Sequence, residues 1–149
     1  MLDSIETPLL NIFFKTSRKV FKLLFSELEK IKLHPGQPPI LLLLLKEENI
    51  TQIDIANKVC VKASTIAVML KKMEKNGLIE KKIDKNDKRV YYICLTKKGK
   101  DLAEQTKQIL NKVEDEITSG LNEYEKNSLV EGLKKILFKI DKIQNPDKG

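Results

Sequence analysis

The sequence predicts a mainly α-helical fold with a small β wing: a winged helix-turn-helix lobe plus N- and C-terminal dimerisation helices. Three observations predict it. Two short helical segments, 51–59 and 63–76, are joined by only a few residues, the spacing of a helix-turn-helix. Directly after them the apolar period shortens to that of a strand on either side of the polar turn Asp84-Lys85-Asn86-Asp87-Lys88, which is the pattern of a β-hairpin. Long amphipathic segments bracket this lobe, and their apolar seams are more than such a lobe requires for itself.

The first element covers residues 4–32. Leu10, Phe13, Phe14, Val20, Phe21, Leu24, Leu28 and Ile31 share one face, with Lys15, Arg18, Lys19, Lys22 and Lys32 opposite. His34-Pro35-Gly36-Gln37-Pro38-Pro39 interrupts it, because proline has no amide proton and clashes with the preceding turn. A second helix, Ile40 to about Glu48, is apolar nearly all round and is expected in the core, with Pro38 or Pro39 in its first turn. Thr51 and Asp54 make a capping-box-like start to the third helix, which runs to about Val59 and turns Ile55 and Val59 inward. The turn Cys60-Val61-Lys62-Ala63 leads to a fourth helix ending near Asn76, where Gly77 supplies the stop. Leu78–Ile83 and Arg89–Leu95 are the hairpin strands. Two long helices, about 97–118 and 123–143, are separated by Gly120, and Asn122 with Glu125 opens the second. Leu129, Leu133, Ile136, Ile140 and Ile143 recur in it at the spacing of a coiled-coil seam.

Composition narrows the chemistry. The net charge of +7 is concentrated: residues 34–100 carry +7, against +2 for residues 1–33 and −2 for 101–149. A positive middle segment suits a phosphate-rich partner. The longest apolar run, Ile40 to Leu45, is far below the roughly 20 residues that cross a bilayer. Asp3 and Glu6 stand where a secretory signal would carry lysine or arginine, so a cytoplasmic protein without membrane contact is expected. One histidine, His34, and two cysteines, Cys60 and Cys94, give neither a metal-ligand cluster nor a nucleophile–base pair. No glycine-rich phosphate loop is present either. No catalytic residue, metal or cofactor is therefore expected, and the cysteines read as small apolar fillers.

The fourth helix carries the most information. Ile66, Met69, Leu70 and Met73 share the face that packs on the third helix, leaving Ser64, Ala67, Val68, Lys71 and Lys75 outward with Thr65 and Lys72 on the flank. A major groove admits one α-helix. Ser64 and Thr65 can bond phosphates or base edges, Lys71, Lys72 and Lys75 can neutralise phosphates, and Ala67 and Val68 suit thymine methyls. In the hairpin turn Lys85, Lys88 and Arg89 stand beside Asp84 and Asp87. A wing of this kind can lower a guanidinium into the minor groove, with Asp87 or Asp84 bridging to Arg89 to orient it.

In their order and spacing, several stretches together resemble the MarR family of winged-helix regulators. They are Leu33 to Leu45, Thr51-Gln52 through Ala56, Ser64-Thr65-Ile66, and Leu70 with Met73-Glu74-Lys75-Asn76-Gly77-Leu78-Ile79. The wing run from Asp84 to Arg89 and Leu95-Thr96-Lys97-Lys98-Gly99 complete the set. The resemblance implies a homodimer on a pseudo-palindromic duplex, with Ser64, Thr65, Val68 and Lys72 on the recognition helix and Arg89 as the minor-groove arginine. It implies dimerisation through residues 1–33 and 100–149, where Leu10, Phe13, Leu129, Leu133, Ile136 and Ile140 are candidates, around a DNA-binding lobe at 34–99. It also implies repression, and release by a small ligand, for which Phe14, Phe21 and His34 are candidate contacts. The chain departs from the family pattern at Cys60, where glycine is frequent, at Lys62, where a capping aspartate is common, and at Ala67 and Val68, often polar or arginine. Two alternatives stand beside this reading: a winged-helix module that binds protein, and a thiol-based redox-sensing regulator.

Overall fold

A computed structural model describes residues 7–146. Its elements are α1 (Pro8–Glu29), α2 (Pro38–Lys46), α3 (Gln52–Lys58), α4 (Ala63–Lys75), β1 (Ile79–Ile83), β2 (Tyr91–Leu95), α5 (Lys97–Ile117) and α6 (Glu123–Gln144). One compact unit runs to Asn111 and a second begins at Lys112, within α5.

Helix ends follow from local chemistry. Pro8, whose fixed φ suits a first helical position, starts α1 after Thr7, so the helix begins later than residue 4. Positions 4–6 lie outside the described residues. At its other end the helix stops at Glu29 rather than 32, because Lys32 turns left-handed with φ 57°. The amides of Lys32 and Leu33 then donate back to the carbonyls of Glu29 and Leu28 at 3.0 and 3.1 Å. Two other helices close in the same way. Cys60 (φ 55°) ends α3, its amide and that of Val61 returning to Asn57 and Ala56, and Gly77 (φ 72°) ends α4 onto Glu74 and Met73. Only the last of the three has the residue type that this geometry favours.

The second helix also differs from expectation. It starts at Pro38 instead of Ile40, the proline ring filling the first position, and ends at Lys46 instead of Glu48. The capping box of α3 is present: Thr51 Oγ1 accepts the Asp54 amide at 3.2 Å while the Asp54 carboxylate accepts the Thr51 hydroxyl and amide. These bonds to Thr51 hold the Asp54 carboxyl below its ordinary range.

The antiparallel hairpin pairs Ile79 with Leu95 through to Ile83 with Tyr91. Arg89, expected to open the second strand, lies in the turn. There Asp84 N–H donates to Val90 O and Val90 N–H to Asp87 O, so ladder pairing resumes only at Tyr91. A further bridge was not expected. Ile93 N–H donates to Ile50 O at 2.9 Å, fastening the base of the wing to the α2–α3 connection.

The core of the first unit gathers Ile40, Leu41, Ile55, Ile66, Leu70, Met73 and Ile93. Burying each such side chain contributes about 1.5–3 kcal/mol, so α3, α4 and the wing form one stiff support. The phenylalanines of α1 do not fill it. Phe13, Phe14 and Phe21 are exposed in the single chain, and Leu28 is the one fully buried residue of α1. In the second unit α6 opens on the capping box of Asn122 and Glu125. None of its residues is buried; Leu129, Leu133, Ile136, Ile140 and Ile143 all face solvent.

Candidate nucleic-acid interface

The inward face of α4 is Ile66, Leu70 and Met73, with Met69 partly buried beside them. Their packing on α3 fixes which side chains can point away. Ser64 and Thr65 in the first turn, Lys71 beyond the middle, and Lys72 and Lys75 in the last turn are all exposed. Val68 is 69% exposed. Ala67, expected beside it, is half-buried, since one step from Ile66 it lies at the edge of the packed face. Lys62 occupies the N-cap of α4 without a side-chain hydrogen bond to the helix.

The two wing aspartates have separate tasks. Asp87 holds Arg89: Nε lies 3.2 Å from Oδ1, and the same oxygen accepts the Arg89 amide at 3.0 Å. The arginine side chain is nevertheless 91% exposed, so the aspartate aims it without covering it. Asp84 instead builds the turn, its Oδ1 accepting the amides of Asn86 and Asp87 at 2.7 and 2.8 Å. Those amides, with the Tyr92 hydroxyl, hold the Asp84 carboxyl below its usual range, and the same carboxylate pushes the Tyr92 phenol up. Lys85 and Lys88 are exposed at the tip. Tyr92 is a wing residue that the sequence did not single out, because nothing local marks a partner eight positions away.

The tail of α4 is fastened to the head of α5. Thr96 Oγ1 donates to Gly77 O at 2.6 Å and accepts the Gly99 amide at 3.0 Å, Thr96 N–H donates to Leu78 O, and Lys98 Nζ donates to Asn76 O at 2.9 Å. A side chain at position 99 has no room here, because its Cβ would lie 1.9 Å from Leu78 O. Gly99 is thus required by close approach.

The remaining candidates are dispersed. Cys60, expected as a filler, is exposed at its left-handed turn position, and Cys94 is half-buried on β2; both are free thiols. His34 is exposed, its Nδ1 accepting the Gly36 amide. Phe21 borders a groove formed by α1 residues alone, among them Arg18, Phe25 and Glu29. A larger half-open cleft of about 790 Å³ contains none of Phe14, Phe21 and His34. It is lined by residues such as Lys32, Gln37, Leu78, Lys97 and Leu102. Among the described residues no group of acidic, histidine or cysteine side chains could hold a metal, and no helix is long and apolar enough to cross a membrane.

Comparison with known proteins agrees with this geometry. The sequence model of the MarR family matches residues 33–91. The organic hydroperoxide resistance transcriptional regulator of Bacillus subtilis is 31% identical over 105 residues, 70% of this chain and 71% of that protein. The HTH-type transcriptional regulator SarZ of Staphylococcus saprophyticus is 27% identical over 124 residues, 80% of this chain and 85% of the relative. Among solved structures, a Staphylococcus aureus MepR–DNA complex superposes with a TM-score of 0.81 at 26% identity, covering 90% of this chain and 99% of that one. A cysteine-to-serine variant of MarR from E. coli, complexed with operator DNA, gives 0.78 at 26% identity, covering 87% and 94%.

Proposed function

The chain belongs to the MarR family of transcriptional regulators, and from that premise we propose that it binds duplex DNA as a homodimer, α4 in the major groove and Arg89 in the minor groove. The observation that carries this reading is the outward face of α4. A valine left 69% exposed between Ser64, Thr65, Lys71, Lys72 and Lys75 matches a surface that meets base edges and phosphates together. Lys85, Lys88 and the Asp87-held Arg89 add the second contact. The solved complexes of its structural neighbours with DNA support the same assignment.

In this reading the dimer spans two half-sites whose centres lie roughly 10 bp apart. The protein works in the cytoplasm as a repressor, and a small ligand releases it by favouring a conformation that fits the operator poorly. It performs no catalysis. The interaction-module alternative has no observation in its favour beyond the fold itself.

A gel shift on the DNA flanking its own coding region tests the proposal. Val68→Asp is expected to weaken binding by at least about 100-fold, because it places a carboxylate against phosphates and base edges, with the circular dichroism spectrum unchanged. If each protomer neutralises about 4 phosphates, log affinity falls against log salt with a slope of about −7. Unaltered affinity of the Val68 variant takes α4 out of the groove; a slope near zero removes the phosphate contacts.

A further inference from the structure

We infer that Val68 is the specificity-determining residue of α4 and reads the 5-methyl group of a thymine in the major groove; this deepens the DNA-binding reading above and rests on it. A recognition helix meets base edges with its N-terminal half. Between Ala63 and Lys75 the helix holds no arginine, asparagine or glutamine, so it has none of the planar forks that bond guanine or adenine edges. Its lysines begin at Lys71, past the half that meets the bases. Ser64 and Thr65 remain there as hydrogen-bonding groups, and a hydroxyl both donates and accepts, so it separates the bases poorly. Selectivity has to come from a contact of another kind.

Val68 is built for that contact. Of the large apolar side chains of α4 it alone is exposed, and it is no part of the core. A β-branched residue at a solvated helix position gains nothing for the helix itself. Ser64 and Thr65 lie one turn before it and Lys71 and Lys72 one turn after, all exposed, which makes an apolar centre with a polar rim. Ala67 is half-buried and leaves the centre to its neighbour. The aim is fixed at two levels. Valine keeps one strongly preferred rotamer in a helix, so little side-chain freedom is lost on docking. The roll of α4 is set by Ile66, Leu70 and Met73 in the core, and the Met69 methyl fills the space that a side chain at position 36 would need.

The chemistry of the groove supplies the partner. Thymine presents a methyl group there, whereas cytosine presents an amino donor. An isopropyl group set against cytosine covers that donor and leaves it unpaired, while against thymine it gains an apolar contact. Burying one such methyl raises affinity about fourfold, so a dimer on two half-sites gains about fifteenfold.

Uracil differs from thymine by that methyl alone, which gives the test. The DNA flanking the coding region is synthesised once with thymine and once with uracil throughout, and both duplexes are titrated with the full chain in gel shifts. The native protein is expected to bind the thymine duplex about fifteenfold tighter. Val68→Ala removes both γ-methyls and keeps a residue that helices favour; its preference is expected to fall below about threefold. Single uracils, placed one at a time in the thymine duplex, are expected to weaken native binding at one position of each half-site. Equal native affinity for the two duplexes overturns the inference and leaves DNA binding standing. So does a preference that Val68→Ala retains, or a loss spread evenly over all thymines, because either assigns the preference to the stiffness of the duplex. A native protein that shifts neither duplex removes the DNA-binding reading, and this inference with it.

Discussion

At the scale of single residues, Cys60 shows how a side chain can be placed for the wrong apparent reason. Its composition suggests a small apolar filler, yet it is exposed and held at φ 55°, where a Cβ costs about 1–2 kcal/mol. The geometry needs a left-handed residue because the amides of Cys60 and Val61 must turn back to the α3 carbonyls. Cys60→Gly relieves the strain but gives the unfolded chain more freedom, offsetting roughly 0.5–1 kcal/mol of the gain. A net stabilisation of about 0.5 kcal/mol is expected in urea denaturation. A loss of stability would show that the turn is unstrained. The thiol's contact with the Asn57 carbonyl, at 3.8 Å, is too weak to change that balance. Arg89 is the opposite case: its pairing with an aspartate of the turn was legible, and the open choice between Asp84 and Asp87 was resolved by geometry that residue order does not encode.

At the scale of elements, the wing depends on an ionised Asp84. Its folded carboxyl titrates below the unfolded one, so the stabilisation is complete above the unfolded value and is lost as pH falls through the folded value. The expected result is a hairpin whose amide protection declines below about pH 4. Asp84→Asn abolishes that dependence and leaves a looser turn at neutral pH; amide exchange followed by NMR across this range checks both. Unchanged protection in the asparagine protein would show that the turn does not rely on the charge. Elements with local signals were read correctly: Thr51 with Asp54, Asn122 with Glu125, and Gly77 all mark ends where they occur. The end of α1 was not, because Lys32 carries no sign of a left-handed residue. The Ile50–Ile93 bridge was missed because a one-residue strand has no period. The half-open cleft lined by Lys32 and Lys97 was missed because its walls are far apart in the chain, from Lys30 to Gln105.

At the scale of the whole molecule, a single chain leaves too much apolar surface open. Leu10 and Phe13 of α1 and Leu129, Leu133, Ile136 and Ile140 of α6 are exposed, and surfaces of this kind on a monomer mark an interface. The sequence spacing put these residues on apolar helix faces, and Phe14 and Phe21, on the same apolar face of α1, are exposed with them. If they pair two copies, Leu133→Asp with Ile136→Asp yields a monomer in sedimentation equilibrium. It also weakens binding to the two-half-site operator far more than to a single half-site. A dimer that persists would move the interface elsewhere. The fastening of α4 to α5 has a mechanical side. Within the first unit, the 15 residues of α5 from Lys97 to Asn111 make a rod about 22 Å long whose first turn grips Gly77 and Leu78. Tilting that rod by about 5° about its far end carries the gripped end through about 2 Å. That is more than half a base-pair step along the duplex axis, about 3.4 Å. On the DNA-binding reading proposed above, a tilt of this size suffices to take α4 out of register with the bases.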